Sequence, residues 1–98
     1  MMIDQLDKTY EQLKILRDNA NTEDAFEKIR SQMDKINEQR RIIIEKAIDG
    51  ATEEYRNATN ALEEARPMIE SAIEDLSKIE DTIEKVAAVI SQVENLLV

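Results

Sequence analysis

Two pairs of adjacent glutamates, Glu53-Glu54 and Glu63-Glu64, come closest to a chemical motif in this sequence. They stand in the near-repeat ATEEYR and ALEEAR, and paired carboxylates can hold a hard cation or exchange protons. Adjacent side chains on a helix point about 100° apart, so the two members of a pair do not converge on one ion. Helix-bundle metal sites built from inward glutamates usually also use a Glu-x-x-His motif, which a chain without histidine cannot supply. We interpret both pairs as a solvated acidic face and expect no metal.

The residue types that are missing exclude most catalytic classes. The chain has no histidine and no cysteine, which rules out thiolate and imidazole zinc sites, Ser-His-Asp and Cys-His nucleophiles, and haem ligand pairs. A chain of 98 residues has room for one core and exposes much of its surface, which disfavours a deep enclosed pocket. We therefore expect a protein that is not an enzyme and that binds no cofactor.

The charge is strongly negative and unevenly placed. The chain has 22 acidic and 13 basic residues and a net charge of -9, and residues 50–98 carry 11 of the acids with only 4 of the bases. This sign disfavours direct binding to nucleic acid or to anionic membranes. Five acids lie between Gly50 and Pro67 or just beyond, and we take them as candidate partner-binding residues: Glu53, Glu54, Glu63, Glu64 and Glu70.

Apolar residues recur at steps of three and four throughout the chain, which predicts an all-α protein. In the second half the stripe is unbroken: Ile48, Ala51, Tyr55, Ala58, Leu62, Ala65, Ile69, Ala72, Leu76, Ile79, Ile83, Val86, Ile90, Val93 and Leu97. We predict one long helix over residues 52–97, kinked at Pro67, which lies at an outward position of the stripe. A true break at Pro67 is the alternative.

The first half contains two shorter ladders whose registers do not join. One runs through Ile3, Leu6, Tyr10 and Leu13, and the other through Phe26, Ile29, Met33, Ile36, Arg40, Ile43 and Ala47. The phase changes over residues 19–23, where Asn21 or Thr22 can cap a helix. We therefore predict a first arm over residues 2–49 with a joint near Asn21, and a turn at Gly50 that separates it from the second arm.

The two arms match as one long antiparallel helical hairpin that forms a single domain over residues 1–98. Facing residues should have numbers that sum to about 100, and the pairs Ile3 with Leu97, Leu6 with Val93 and Leu13 with Val86 agree. A three-helix bundle is the alternative, but helices of about 27, 40 and 69 Å at about 1.5 Å per residue would be poorly matched in length.

Two lone helices bury little surface, so the hairpin predicts a second copy. We expect a homodimer with a four-helix, coiled-coil-like core. The residues expected at the oligomer interface are the apolar ones near the C-terminus: Ile79, Ile83, Val86, Val89, Ile90, Val93 and Leu97.

These features favour a non-catalytic protein–protein interaction module, an acidic helical adaptor or chaperone-like protein that acts through a coiled-coil surface. The alternative is an acidic inhibitor or nucleic-acid mimic that occupies a basic groove of an enzyme. The start Met1-Met2-Ile3-Asp4 lacks the order of a signal peptide, and the longest uncharged run, Val86 to Val93, is too short to span a membrane. We expect a cytoplasmic protein.

Overall fold

The computed structural model describes residues 2–46, 48, 50 and 52–97. This part of the chain contains four α-helices joined by short turns, with no strand, and it confirms the all-α prediction. The helices are α1 (Met2–Asp18), α2 (Glu23–Lys46), α3 (Glu53–Glu74) and α4 (Ile79–Leu97), with a 3₁₀ turn at Leu76–Lys78 between the last two. Met1, Ala47 and Ala51 lie outside the described residues, and so does residue 49, at which the predicted first arm ends.

Three of the helical segments begin at a side-chain cap. Thr22 Oγ1 accepts from the Ala25 amide at 3.1 Å, and Thr52 Oγ1 accepts from the Tyr55 amide at 3.2 Å. Asp75 Oδ1 accepts from the Ser77 amide at 3.1 Å and starts the 3₁₀ turn. Each cap satisfies an amide that has no partner within the first turn of its helix, so these short polar residues decide where the chain can change direction.

The four helices form a bundle within one chain. Helix α1 packs against α2 and α3, and α4 packs against α3 and α2, so α1 lies diagonal to α4 and α2 lies diagonal to α3. The bundle measures 39 × 20 × 18 Å, with a radius of gyration of 13.0 Å for the Cα atoms. We call α1–α2 the first helix pair and α3–α4 the second helix pair.

The hydrogen bonds between helices show which neighbours run parallel. Gln5 contacts Glu63 and Gln12 contacts Glu70, the same separation of 58 residues, so α1 and α3 point the same way. On the other side, Gln32 and Gln39 contact Ile83 and Ile90, both at a separation of 51 residues, so α2 and α4 are also parallel. The second helix pair therefore lies beside the first in the same orientation.

The predicted second arm is not one helix, which corrects the long hairpin. Helix α3 runs through Pro67 without a break, but the chain reverses at residues 75–78 and α4 returns along α3. The pairing of Ile3 with Leu97 is wrong because α1 and α4 are diagonal. The three-helix alternative is also wrong, since the described residues form four helices. The physical reason is that an apolar stripe records which residues are inside, whereas Asp75 and its cap decide the direction of the chain.

The stripe of the second half is buried as its spacing predicts, but α2 presents a different face. From Tyr55 to Leu97 the described stripe residues are buried, apart from Leu76, which is half-buried. On α2, Phe26 is 37% exposed and Arg40 is half-exposed, while Ala25, Gln32 and Gln39 are buried. The reason is that α2 has two neighbours, α1 and α4, and its buried face points between them rather than at a single partner helix.

The residues predicted at an oligomer interface lie instead in the core of one chain, which corrects that assignment. All seven are at most 8% exposed with no second copy present: Ile79, Ile83, Val86, Val89, Ile90, Val93 and Leu97. Because α2 and α3 pack against α4 and bury these residues, no second copy is needed to cover them.

Candidate interaction surface

The five acids predicted to bind a partner are all exposed on α3, but they do not form one patch. Glu63 Oε1 accepts from Gln5 Nε2 at 3.1 Å, and Glu70 Oε1 accepts from Gln12 Nε2 at 3.0 Å. These two carboxylates therefore face the seam between α1 and α3 and already have donors.

The other three acids lie elsewhere on α3. Glu53 and Glu54 are in the first turn, where negative charge is favourable to the helix dipole. Glu64 lies in the same heptad row as Asn57 and Ser71, and both of these line grooves shared with α4. Glu63 and Glu64 are thus on opposite flanks of α3, as expected for neighbours on a helix.

The two helix pairs differ clearly in their balance of acidic and basic residues. Helices α1 and α2 contain ten acidic and nine basic residues, whereas α3 and α4 contain ten acidic and three basic residues. The two pairs have the same number of acids and differ in their bases. The second helix pair is therefore the acidic side of the bundle.

Among the described residues, five of the nine bases of the first helix pair form ion pairs with acids of the same pair. Arg40 Nε lies 2.6 Å from Asp7 Oδ1 and joins α2 to α1. Arg41 pairs with Glu38 and Glu45 on its own helix, and the hydrogen bond to Glu38 is the main reason that the pKa of Arg41 is raised. Such exposed pairs contribute little to stability, but together they neutralise this side of the surface.

One ion pair among the described residues joins the two helix pairs. Lys28 Nζ lies 2.9 Å from Asp24 and 3.9 Å from Glu80 at the start of α4. The hydrogen bond to Asp24 is the largest cause of the raised pKa of Lys28, and the charge of Glu80 adds to it. In the described part of the chain Glu54, Glu64 and Asp81 make no side-chain hydrogen bond or ion pair.

Two grooves lie between α3 and α4 on this acidic side. The larger has a volume of about 380 Å³ and is lined by Pro67, Met68, Ser71, Lys78, Asp81 and Thr82. The smaller has a volume of about 160 Å³ and is lined by Glu54, Asn57, Gln92, Asn95 and Leu96. Glu64 lies on α3 between them. We define the acidic face as these two grooves together with Glu54, Glu64 and Asp81.

Buried glutamines are the main feature that the sequence reasoning missed. Gln32 Nε2 donates to the Ile83 carbonyl at 2.8 Å, and Gln39 Nε2 donates to the Ile90 carbonyl at 2.9 Å and to Glu94 at 3.0 Å. The sequence contains a pattern that could have identified them: Gln5 and Gln12 are one heptad apart, and so are Gln32 and Gln39. Polar residues repeated on one face of a helix indicate a seam that fixes register.

A third groove, of about 320 Å³, follows the seam between α2 and α4. It is lined by Ser31, Gln32, Lys35, Ala87, Ile90, Ser91 and Glu94. Its charged residues are one base and one acid, so it has no dominant sign and does not select a charged partner.

Within the described residues, no cluster of acids, histidines or cysteines could hold a metal ion. The helices of that same part of the chain are all too short or too polar to cross a membrane. Comparison with protein-family models, with curated proteins and with solved structures gives no match.

Proposed function

We propose that this protein is a non-catalytic interaction module whose acidic face binds a basic segment of another protein. The observation that carries this proposal is the imbalance between the helix pairs: ten acids with nine bases on α1 and α2, but ten acids with three bases on α3 and α4. An acidic side on a small bundle attracts a basic partner and orients its approach.

The grooves provide apolar contacts, which charge alone does not. Charge complementarity steers association and selects the partner, but affinity usually rests on apolar groups that enter pockets. Pro67 and Met68 line the larger groove and Leu96 lines the smaller one, while Asp81 and Glu54 lie at these same grooves. The partner that fits is an amphipathic segment with lysine or arginine residues beside its apolar side chains.

The test compares two charge reversals of equal size on opposite sides of the bundle. One variant carries Glu54→Lys, Glu64→Lys and Asp81→Lys on the acidic face. The matched control carries Asp4→Lys, Glu11→Lys and Asp34→Lys at exposed positions of the first helix pair. Both variants change the net charge equally, so a difference between them reports the location of the charges.

The probe is a synthetic amphipathic helical peptide of lysine and leucine, with binding measured by calorimetry at low and moderate salt. We expect the acidic-face variant to lose at least tenfold in affinity and the control to lose much less. Equal losses would contradict the proposal, because binding would then follow net charge alone. If binding vanishes at moderate salt and is also lost on reversal of Glu63 and Glu70, the nucleic-acid mimic is favoured instead, since a mimic relies on screened charges.

A further inference from the structure

We propose that α4 exchanges between two copies of this chain, with residues 75–78 as the hinge, so that α3 and α4 of each copy become one continuous helix. The first observation is the phase of the apolar stripe across the turn. Ala72, Leu76, Ile79 and Ile83 keep steps of four, three and four. A straightened chain would therefore carry its buried residues along a single face from Tyr55 to Leu97.

The turn itself departs little from a helix. The Asp75 amide still donates to the Ser71 carbonyl at 2.9 Å, which is the helical i to i−4 bond. Asp75 then adopts an extended backbone, with φ −139° and ψ 96°, while Leu76–Lys78 form a 3₁₀ turn and Ile79 is again helical. The segment contains no glycine or proline, so its composition does not prevent helix formation. Moving Asp75 into the helical region removes the main deviation from a continuous helix.

The surface that is uncovered when α4 leaves its bundle fits a second copy of this chain. When α4 leaves its own bundle, its apolar face, which includes Val86, Ile90 and Val93, loses its cover. The space vacated between α2 and α3 has the shape of α4 and the donors Gln32 and Gln39 directed at its carbonyls. Only another α4 restores those contacts in register. Exchange of identical elements through a short hinge is a low-cost route to a dimer.

The continuous stripe also satisfies the geometry of such a dimer. In the exchanged form each long helix contributes its α3 half to one bundle and its α4 half to the other. The two bundles lie on one line only if both halves bury the same side of the helix. The steps of three and four across the hinge meet this condition, and a change of phase at residues 75–78 would not.

A cross-linking experiment distinguishes exchange from simple side-by-side association. The chain has no cysteine, so Asn57→Cys and Gln92→Cys introduce the only thiols. Both positions are exposed and line the smaller groove between α3 and α4. In a continuous helix these residues of one chain are about 52 Å apart at about 1.5 Å per residue, beyond a short bis-maleimide spacer of about 10 Å. The protein is refolded at micromolar and at millimolar concentration and then cross-linked.

We expect links within a chain at low concentration. At millimolar concentration we expect a fraction with twice the 11.3 kDa mass whose links join two chains. A dimer whose links remain within each chain would overturn the proposal, and so would a monomer at every concentration.

Two hinge variants provide a second test that does not depend on the introduced thiols. Asp75→Leu removes the cap and supplies a good helix former, and we expect it to raise the dimer fraction several-fold. Leu76→Pro fits the turn, because Asp75 is already extended and a proline is accepted at the first helical position, but it breaks a continuous helix. We expect it to remain monomeric with its circular dichroism unchanged. Equal dimer fractions in these two variants, once both are shown to be folded, would contradict the hinge.

Discussion

Gln39 shows how a single polar side chain can fix the alignment of two helices. It is 1% exposed, and its amide donates both to the Ile90 carbonyl and to Glu94. A shift of α4 by one residue would separate the amide from these acceptors and leave it buried without a partner, which costs about 1–3 kcal/mol. Gln32 repeats the contact one heptad earlier. The two glutamines therefore favour one register of α4 on α2.

Gln39→Ala removes both hydrogen bonds and opens a gap, so we expect the free energy of unfolding to fall by about 1–3 kcal/mol. Asn37, exposed on the same helix, provides the control. Asn37→Ala should change the free energy of unfolding by at most about 0.5 kcal/mol. Urea unfolding followed by circular dichroism measures both. Similar values for the two variants would show that the buried amide does not support the seam.

Asp75 predicts a response to acid that can be assigned to one residue. Hydrogen bonds from the Ser77 hydroxyl and then the Ser77 amide hold the pKa of Asp75 below its ordinary value. Since the pKa is lower in the folded state than in the unfolded state, the cap stabilises the fold at neutral pH. This contribution is lost as pH falls below about 4 and through the folded-state pKa.

The measurement compares the wild type with Asp75→Asn, which retains a capping oxygen but does not titrate. All other carboxylates are common to both proteins, so their effects cancel in the comparison. We expect urea unfolding at neutral pH and near pH 3 to show a larger loss of stability for the wild type than for Asp75→Asn. An equal loss would mean that the cap does not depend on the charge of Asp75.

For α3 and α4, the sequence predicts which residues are buried more accurately than it predicts where the chain reverses. The stripe residues of α3 and α4 are all buried, because burial follows the period of the helix. The stripe omitted two further buried residues of α4, Thr82 and Val89. It could not reveal the reversal at Asp75, since Ala72, Leu76 and Ile79 keep their phase across the turn. The local signal was the Asp75-Leu76-Ser77 sequence, a short polar cap that competes with helix propagation.

The face of α2 was predicted less well, and the reason is again physical. Phe26 and Arg40 fit a heptad ladder, but a helix packed between two neighbours buries a wider face than a ladder describes. The buried Gln32 and Gln39 belong to that wider face. Apolar spacing alone does not find them, because burial of a polar residue depends on the acceptor that the neighbouring helix provides. The sequence identifies the acidic residues of α3. It does not show how they divide between the two flanks of the helix, because that depends on where α1 packs.

Pro67 interrupts the backbone hydrogen bonding of α3. It is exposed within α3, where it lacks the amide that would bond to the Glu63 carbonyl, and its ring crowds that carbonyl. We expect Pro67→Ala to raise the free energy of unfolding by about 1–3 kcal/mol. Asn60 lies one heptad earlier and is also exposed, so Asn60→Ala is the matched control. Its free energy of unfolding should rise by only about a few tenths of a kcal/mol. A lower stability of Pro67→Ala would indicate that the proline supports the groove that it lines.

At the scale of the whole molecule, the two parallel helix pairs combine an apolar core with polar seams and an uneven charge. Glutamines lie at both seams between the pairs, α1 with α3 and α2 with α4. The second pair has three bases for its ten acids. This arrangement places the acidic face on the outer side of one pair, away from the salt bridges of the other, while the described part of the chain forms one apolar core.

We conclude that one chain closes this core by itself, and small-angle X-ray scattering on the monomer peak of a sizing column measures whether it does. We predict a monomer with a radius of gyration slightly above the 13.0 Å of its Cα atoms, since side chains and hydration add to it. A continuous second arm of about 69 Å would act as a rod with a radius of gyration of about 20 Å. A value near 20 Å at low concentration would contradict the four-helix bundle.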